Sequence, residues 1–96
     1  QNSLSEIGIQ YLSTKLSLNN SALKWLDLES TDLNDNCAAY LAIMLKTNKS
    51  ITGLWLSNNR IGYHGVEMLA LALTYYNTTL KHLDLENNQE FYIFYL

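Results

Sequence analysis

The apolar positions of the chain recur with a period of 28 to 29 residues. Leu23, Leu26, Leu28, Thr31 and Leu33 return as Ile51, Leu54, Leu56, Asn59 and Ile61, and then as Leu80, Leu83, Leu85 and Asn88. The shared pattern is LxxLxLxxNxL. One period earlier, Asn2 and Leu4 take the places of Asn59 and Ile61, and Gly8 that of Gly65. The alternation Leu26-x-Leu28 marks a short strand with one apolar face, because successive strand side chains point to opposite sides.

The second half of each unit changes period. Ile9, Leu12, Ser13 and Leu16 correspond to Ala38, Leu41, Ala42 and Leu45, and to Val66, Leu69, Ala70 and Leu73. The spacing i, i+3, i+4, i+7 predicts one apolar stripe on an amphipathic helix in every copy. Ser5, Asn34 and Gly62 precede the stripes as expected N-caps. Asn19, Asn48 and Asn77 follow them, where a left-handed residue commonly ends a helix.

Strand and helix in alternation, repeated, predict parallel strands stacked into a curved solenoid whose units bury their cores against their neighbours. Strands line the inside and helices the outside. Asn59 and Asn88, with Asn2, stand where the backbone leaves the sheet, so their amides are expected to satisfy stranded main-chain groups as a ladder. Thr31 offers fewer such bonds, which predicts a looser turn. Cys37 occupies the position of Gly8 and Gly65 and is expected to be a buried small spacer rather than a nucleophile.

With this period, this strand motif and a full helix per unit, the sequence resembles the ribonuclease-inhibitor-like subfamily of leucine-rich repeats, the kind found in ribonuclease inhibitor, NOD-like receptors and the Ran GTPase-activating protein. The stretch Leu56 to Leu73, LSNNRIGYHGVEMLALAL, is particularly close, and the resemblance covers about residues 2 to 89. It implies an α/β leucine-rich repeat solenoid, a horseshoe segment with parallel strands on the concave side and helices on the convex side, that recognises protein partners. The units divide as a partial repeat 1–22, repeats 23–50 and 51–79, and a partial repeat 80–89.

Residues 90–96 depart from the pattern. Glu90 stands where an apolar residue is required, and the following FYIFYL has no helical stripe. We expect an improvised cap or an extra strand there, and a run this aromatic, uncharged and proline-free is an aggregation hazard. Without polar capping units at either end, the sequence reads as a fragment of a longer array that folds marginally by itself.

Composition narrows the function. With 48% apolar and 16% charged residues the chain is an ordinary globular one rather than a disordered segment. Six basic against nine acidic side chains leave a net charge of −3, which argues against nucleic acid as a partner. No apolar run approaches the roughly 18 residues of a membrane span, and no targeting signal is legible. The single cysteine cannot form an internal disulfide, which favours a reducing, cytoplasmic setting. The sequons at Asn19, Asn48 and Asn77 recur at one point of the repeat and are read as structural.

Outward strand residues form a grid on the concave side: Trp25, Asp27 and Glu29, then Gly53, Trp55 and Ser57, then His82, Asp84 and Glu86. Aromatic anchors ringed by polar groups suit an interface, and the carboxylates would steer a basic protein or peptide. Trp55 is expected to stand exposed, with no packing role. Asp27 and Asp84, two strands apart, are spaced like paired catalytic acids at about 9 to 10 Å. The face, however, is too open to exclude water or enclose a small-molecule substrate.

His64 and His82 belong to different faces, so no metal is expected, and Gly62-x-x-Gly65 lacks the rest of a phosphate loop, so no nucleotide or other cofactor is either. Tyr11, Tyr40, Tyr63, Tyr75 and Tyr76 are expected along helix edges with their hydroxyls in water. The sequence thus predicts a non-enzymatic protein-binding module of a larger receptor, inhibitor or adaptor. The alternatives are a structural or self-associating solenoid segment and part of a GTPase-activating protein.

Overall fold

The computed structural model describes residues 4–18, 22–76 and 79–89. Helices and strands alternate in the order α1 (Leu4–Leu18), β1 (Trp25–Asp27), α2 (Asp35–Thr47), β2 (Gly53–Trp55), α3 (Tyr63–Tyr75) and β3 (His82–Asp84). The strands form one parallel sheet in the order β1-β2-β3, with Leu26, Leu54 and Leu83 in one cross-strand row. The helices pack side by side, α1 on α2 and α2 on α3.

The core lies between the two layers, where the alternating leucines of the strands meet the helical stripes. Its burial is graded. In the central unit Leu54 and Leu56 are fully buried, whereas their equivalents Leu26, Leu28, Leu83 and Leu85 are only partly covered. A three-residue strand has too little surface to bury its leucines alone, so a neighbour on each side completes the core.

The stripes hold in α1 and α2 but shift in α3. Ser13 and Ala42 are buried as expected, whereas the equivalent Ala70 is exposed and Ala72 is buried in its stead. Ser13 and Ala42 owe their burial to the following helix, and among the described residues none follows α3. Gly65 and Ala72 face α2 instead, Gly65 against Asp35 and Ala38 and Ala72 beside Ala42 and Ile43. Gly65 permits close packing there: a Cβ on it would lie 2.7 Å from Asp35 Oδ1, 2.7 Å from Ile61 Cγ2 and 3.0 Å from the Ala38 Cβ. At Gly8 a Cβ would meet nothing within 4 Å among the described residues.

Helix ends differ from expectation at two of the described positions. Asn34 caps α2 as expected, its side chain accepting from the Cys37 amide at 3.1 Å. Ser5, expected as an N-cap, lies inside α1, and its hydroxyl donates to the Thr31 carbonyl of the next unit (2.8 Å). Gly62 caps α3 without a side chain, and its amide donates to Asp35 Oδ1 at 2.6 Å. Asn48 is extended (φ −72°, ψ 131°), not left-handed. Its side chain instead joins two units, since Oδ1 accepts from the amides of Ser50 and Ile51 while Nδ2 donates to the Leu16 carbonyl of the preceding unit. Only 3% exposed, Asn48 has no room for a sugar in the folded chain. Asn19 and Asn77, Asn2 and the tail 90–96 lie outside the described residues.

The asparagine ladder is present. Asn59 Oδ1 accepts from the Thr31 and Leu33 amides (3.0 and 2.9 Å), and Nδ2 donates to the carbonyls of Leu28, Leu56 and Ser57. Asn88 does the same one unit on, reaching the Ile61 amide and the carbonyls of Leu56, Leu85 and Glu86. Each amide thus ties its own turn to the previous one. Thr31 is exposed, and its hydroxyl donates to the Leu28 carbonyl of its own turn. That turn holds two left-handed residues, Ser30 and Asp32 (φ 57° and 65°), where the other two described turns hold one each, Asn58 and Asn87.

Candidate protein-binding surface

The outward strand residues line up in rows across the sheet. The register places Trp25, Gly53 and His82 in one row and Asp27, Trp55 and Asp84 in the next. Beyond the strand ends, the Ser30 amide donates to the Ser57 carbonyl and the Asn58 amide to the Glu86 carbonyl, so Glu29, Ser57 and Glu86 continue the sequence of rows.

Trp55 is not idle, contrary to the expectation from sequence. It is partly covered, and its six-membered ring lies across Gly53: a Cβ there would collide with Trp55 Cη2 and Cζ3 and stand 3.0 Å from Trp25 Cδ1. The missing side chain of Gly53 is therefore the seat of one indole and the neighbour of the other. Trp25 remains 67% exposed, so an aromatic platform, part packed and part open, occupies the first two rows of the face. An indole already seated on the sheet, as that of Trp55 is, loses little side-chain entropy when a partner covers it.

Carboxylates border this platform. Asp27 and Asp84 flank Trp55 on either side. Each holds the chain leaving its strand, since Asp27 Oδ1 accepts from the Glu29 amide and Asp84 Oδ1 from the Glu86 amide, both at 3.0 Å. Glu29 is steadied by Asn58, whose Nδ2 donates to Oε2 at 3.0 Å. Glu86 and His82 are exposed. Ser57 is the exception in the predicted set: it is 6% exposed and offers almost no surface to a partner, because it sits low between flanking units.

Sequence reasoning missed Asn58 and Asp35. Only Asn58 carried a signal. Asn58 and Asn87 each precede a ladder asparagine, and a pair Asn-Asn is the natural way to supply a left-handed residue followed by a buried amide. Asp35 is the acceptor for the next unit's capping glycine. Further round the same edge, Arg60 Nε contacts Asp32 at 2.6 Å, an exposed pair that raises the guanidinium pKa. Cys37 is fully buried, and that burial pushes the thiol pKa up despite the backbone hydrogen bond at Asn34. His64 lies in α3 and His82 in β3, and among the described residues no group of three His, Cys, Asp or Glu side chains could hold a metal. Nor is any described helix long and apolar enough to cross a membrane.

A leucine-rich repeat family model matches residues 47–70 and 76–91. NACHT, LRR and PYD domains-containing protein 3 of Rattus norvegicus is 32% identical over 87 residues, 91% of the chain. Ribonuclease inhibitor of Sus scrofa is 33% identical over 82 residues, 85% of the chain. The chain is a leucine-rich repeat array, similar to those of the ribonuclease-inhibitor-like branch. The array spans 8% of the first of these relatives and 18% of the second. Among solved structures, leiomodin-1 actin-binding site 2 superimposes on 86% of the array with a TM-score of 0.82 and 34% identity, the match covering 47% of that chain. The strand leucines, helical stripes and ladder asparagines are thus the leucine-rich repeat framework, and the Trp25–Gly53–Trp55 platform stands on the positions that alternate with it.

Proposed function

We propose that the concave face of this repeat array binds a protein or peptide partner, without catalysis, as a recognition module. The observation that carries the reading is the Trp25 and Trp55 platform seated on Gly53, with Asp27 and Asp84 on either side of Trp55. Apolar rings supply contact area, and the carboxylates favour a partner with basic side chains, whose approach they would steer. Trp25, Asp27, Glu29, Trp55, His82, Asp84 and Glu86 are the contact residues of this reading. Ser57, being buried, is not among them.

The relatives agree with a binding role, since one is named as an inhibitor of ribonuclease and the structural neighbour as an actin-binding site. A catalytic or GTPase-activating role has no comparable support: the platform is an open surface, and open carboxylates lack the water-excluded surroundings that chemistry of this kind requires. The free, buried Cys37 accords with a reducing, cytoplasmic location.

Titration calorimetry with an arginine-rich peptide as the probe tests the reading. Trp55→Ala combined with Asp84→Asn is expected to weaken binding by about 2 kcal/mol or more, the range of an interface hot spot. Equal affinity of variant and parent would place binding elsewhere and favour a solenoid segment with a purely structural role.

A further inference from the structure

The convex side carries a second apolar surface that the concave reading does not use. A groove of about 280 Å³ runs between α2 and α3, lined by Ile43, Lys46, Met68, Leu71, Tyr75 and Tyr76 together with two alanines. Its apolar walls are open to solvent: Ile43 is 53% exposed, Leu71 49% and Tyr75 71%. The groove lies between two helices that pack directly on each other.

Charge is sorted across the molecule in a way that bears on this groove. All five lysines, Lys15, Lys24, Lys46, Lys49 and Lys81, lie on the edge where helices end and strands begin. The acidic residues of the described part lie toward the opposite edge, on strand ends, turns and the N-terminal halves of helices. At the groove's helix-end mouth, Lys46 Nζ sits 5.0 Å from the centre of the Tyr76 ring, and Lys49 Nζ donates to the Tyr76 carbonyl at 3.0 Å. Among the described residues, no carboxylate lines the groove.

We propose that the α2–α3 groove docks an acidic amphipathic segment of a partner protein. Apolar side chains of one face of that segment lie along Ile43, Met68 and Leu71, as in helix-in-groove recognition. Its carboxylates lie at the Lys46 and Lys49 end, where the groove offers only positive charge. The two faces of the array then select opposite charge, basic on the concave side and acidic on the convex side.

Nuclear magnetic resonance of the full chain tests this, with the Ile43 and Met68 methyl signals as the readout. The probes are a short helical peptide carrying leucines at i, i+3 and i+7 with glutamates elsewhere, and its twin with lysine for glutamate. The glutamate peptide is expected to shift both methyls with an affinity at least about tenfold above that of its twin, and Lys46→Glu to reverse the preference. Emission from Trp25 and Trp55 stays unchanged, which separates this site from the concave one. Equal binding of the twins, or none at these methyls, overturns the proposal. So do methyl shifts that track the concentration of the chain alone, which would make a second copy the occupant, and shifts produced only by phosphatidylserine vesicles.

Discussion

Asn59 shows how much of the array rests on single side chains. One amide satisfies two backbone amides of the preceding turn and three carbonyls, a combination of donors and acceptor that a hydroxyl or a carboxylate does not offer. Asn59→Ala leaves buried backbone groups unpaired and is expected to cost about 3 kcal/mol in urea unfolding. Thr31→Ala removes one exposed bond to Leu28 and costs about 1 kcal/mol or less. Equal losses at the two positions would contradict the ladder.

At Cys37 the same scale yields a pH dependence. The folded thiol titrates above the ordinary value of 9.0 because it is buried. Below that pH the thiol is neutral folded and unfolded, and its contribution is fully present. As pH rises beyond 9.0 the unfolded thiol ionises first, so stability falls, and the contribution is lost as pH passes the folded value. The expected sign is a steeper alkaline loss in the parent than in Cys37→Ala. Identical alkaline profiles would mean that the thiol is accessible to water.

The helices illustrate what periodicity can and cannot reveal. The stripes place the strand leucines and the leucines of α2 correctly because those residues lie in the core between helices and sheet. Ala70 departs from its stripe because burial on a helix flank depends on the neighbouring helix, which a single-helix pattern does not contain. Asn48 departs for a related reason: its partners are Leu16 of the preceding unit and Ile51 ahead, so its role is set between units rather than by the helix end it follows. Glycine follows the same rule. Gly65→Ala, forced against Asp35 and Ile61, is expected to destabilise by about 1 to 3 kcal/mol. Gly8→Ala, facing open space within α1, is expected to stabilise by about 0.5 to 1 kcal/mol through helix propensity. Thermal unfolding of the two variants side by side checks the sign of each.

Across the whole molecule, the fold is legible because a repeat states its message several times, and three strand motifs with three helical stripes leave one consistent packing. The concave rows are legible too, since alternation fixes which side chains leave the core. What the sequence hides is depth. Ser57 and Trp55 both alternate outward, yet one is buried between flanking units and the other folds down onto Gly53. Both outcomes depend on neighbouring strands one period away, and the smallness of Gly53 is the signal that something lies across it.

The sequence contains two tryptophans, both on the concave face, so intrinsic tryptophan emission reports on that face alone. The decisive measurement is acrylamide quenching of this emission as an arginine-rich peptide is added. Binding at the concave rows predicts a blue shift and reduced quenching, weakened by salt as steering by Asp27, Asp84 and Glu86 requires. A peptide that binds by calorimetry while both indoles stay as open to acrylamide as before would contradict the account.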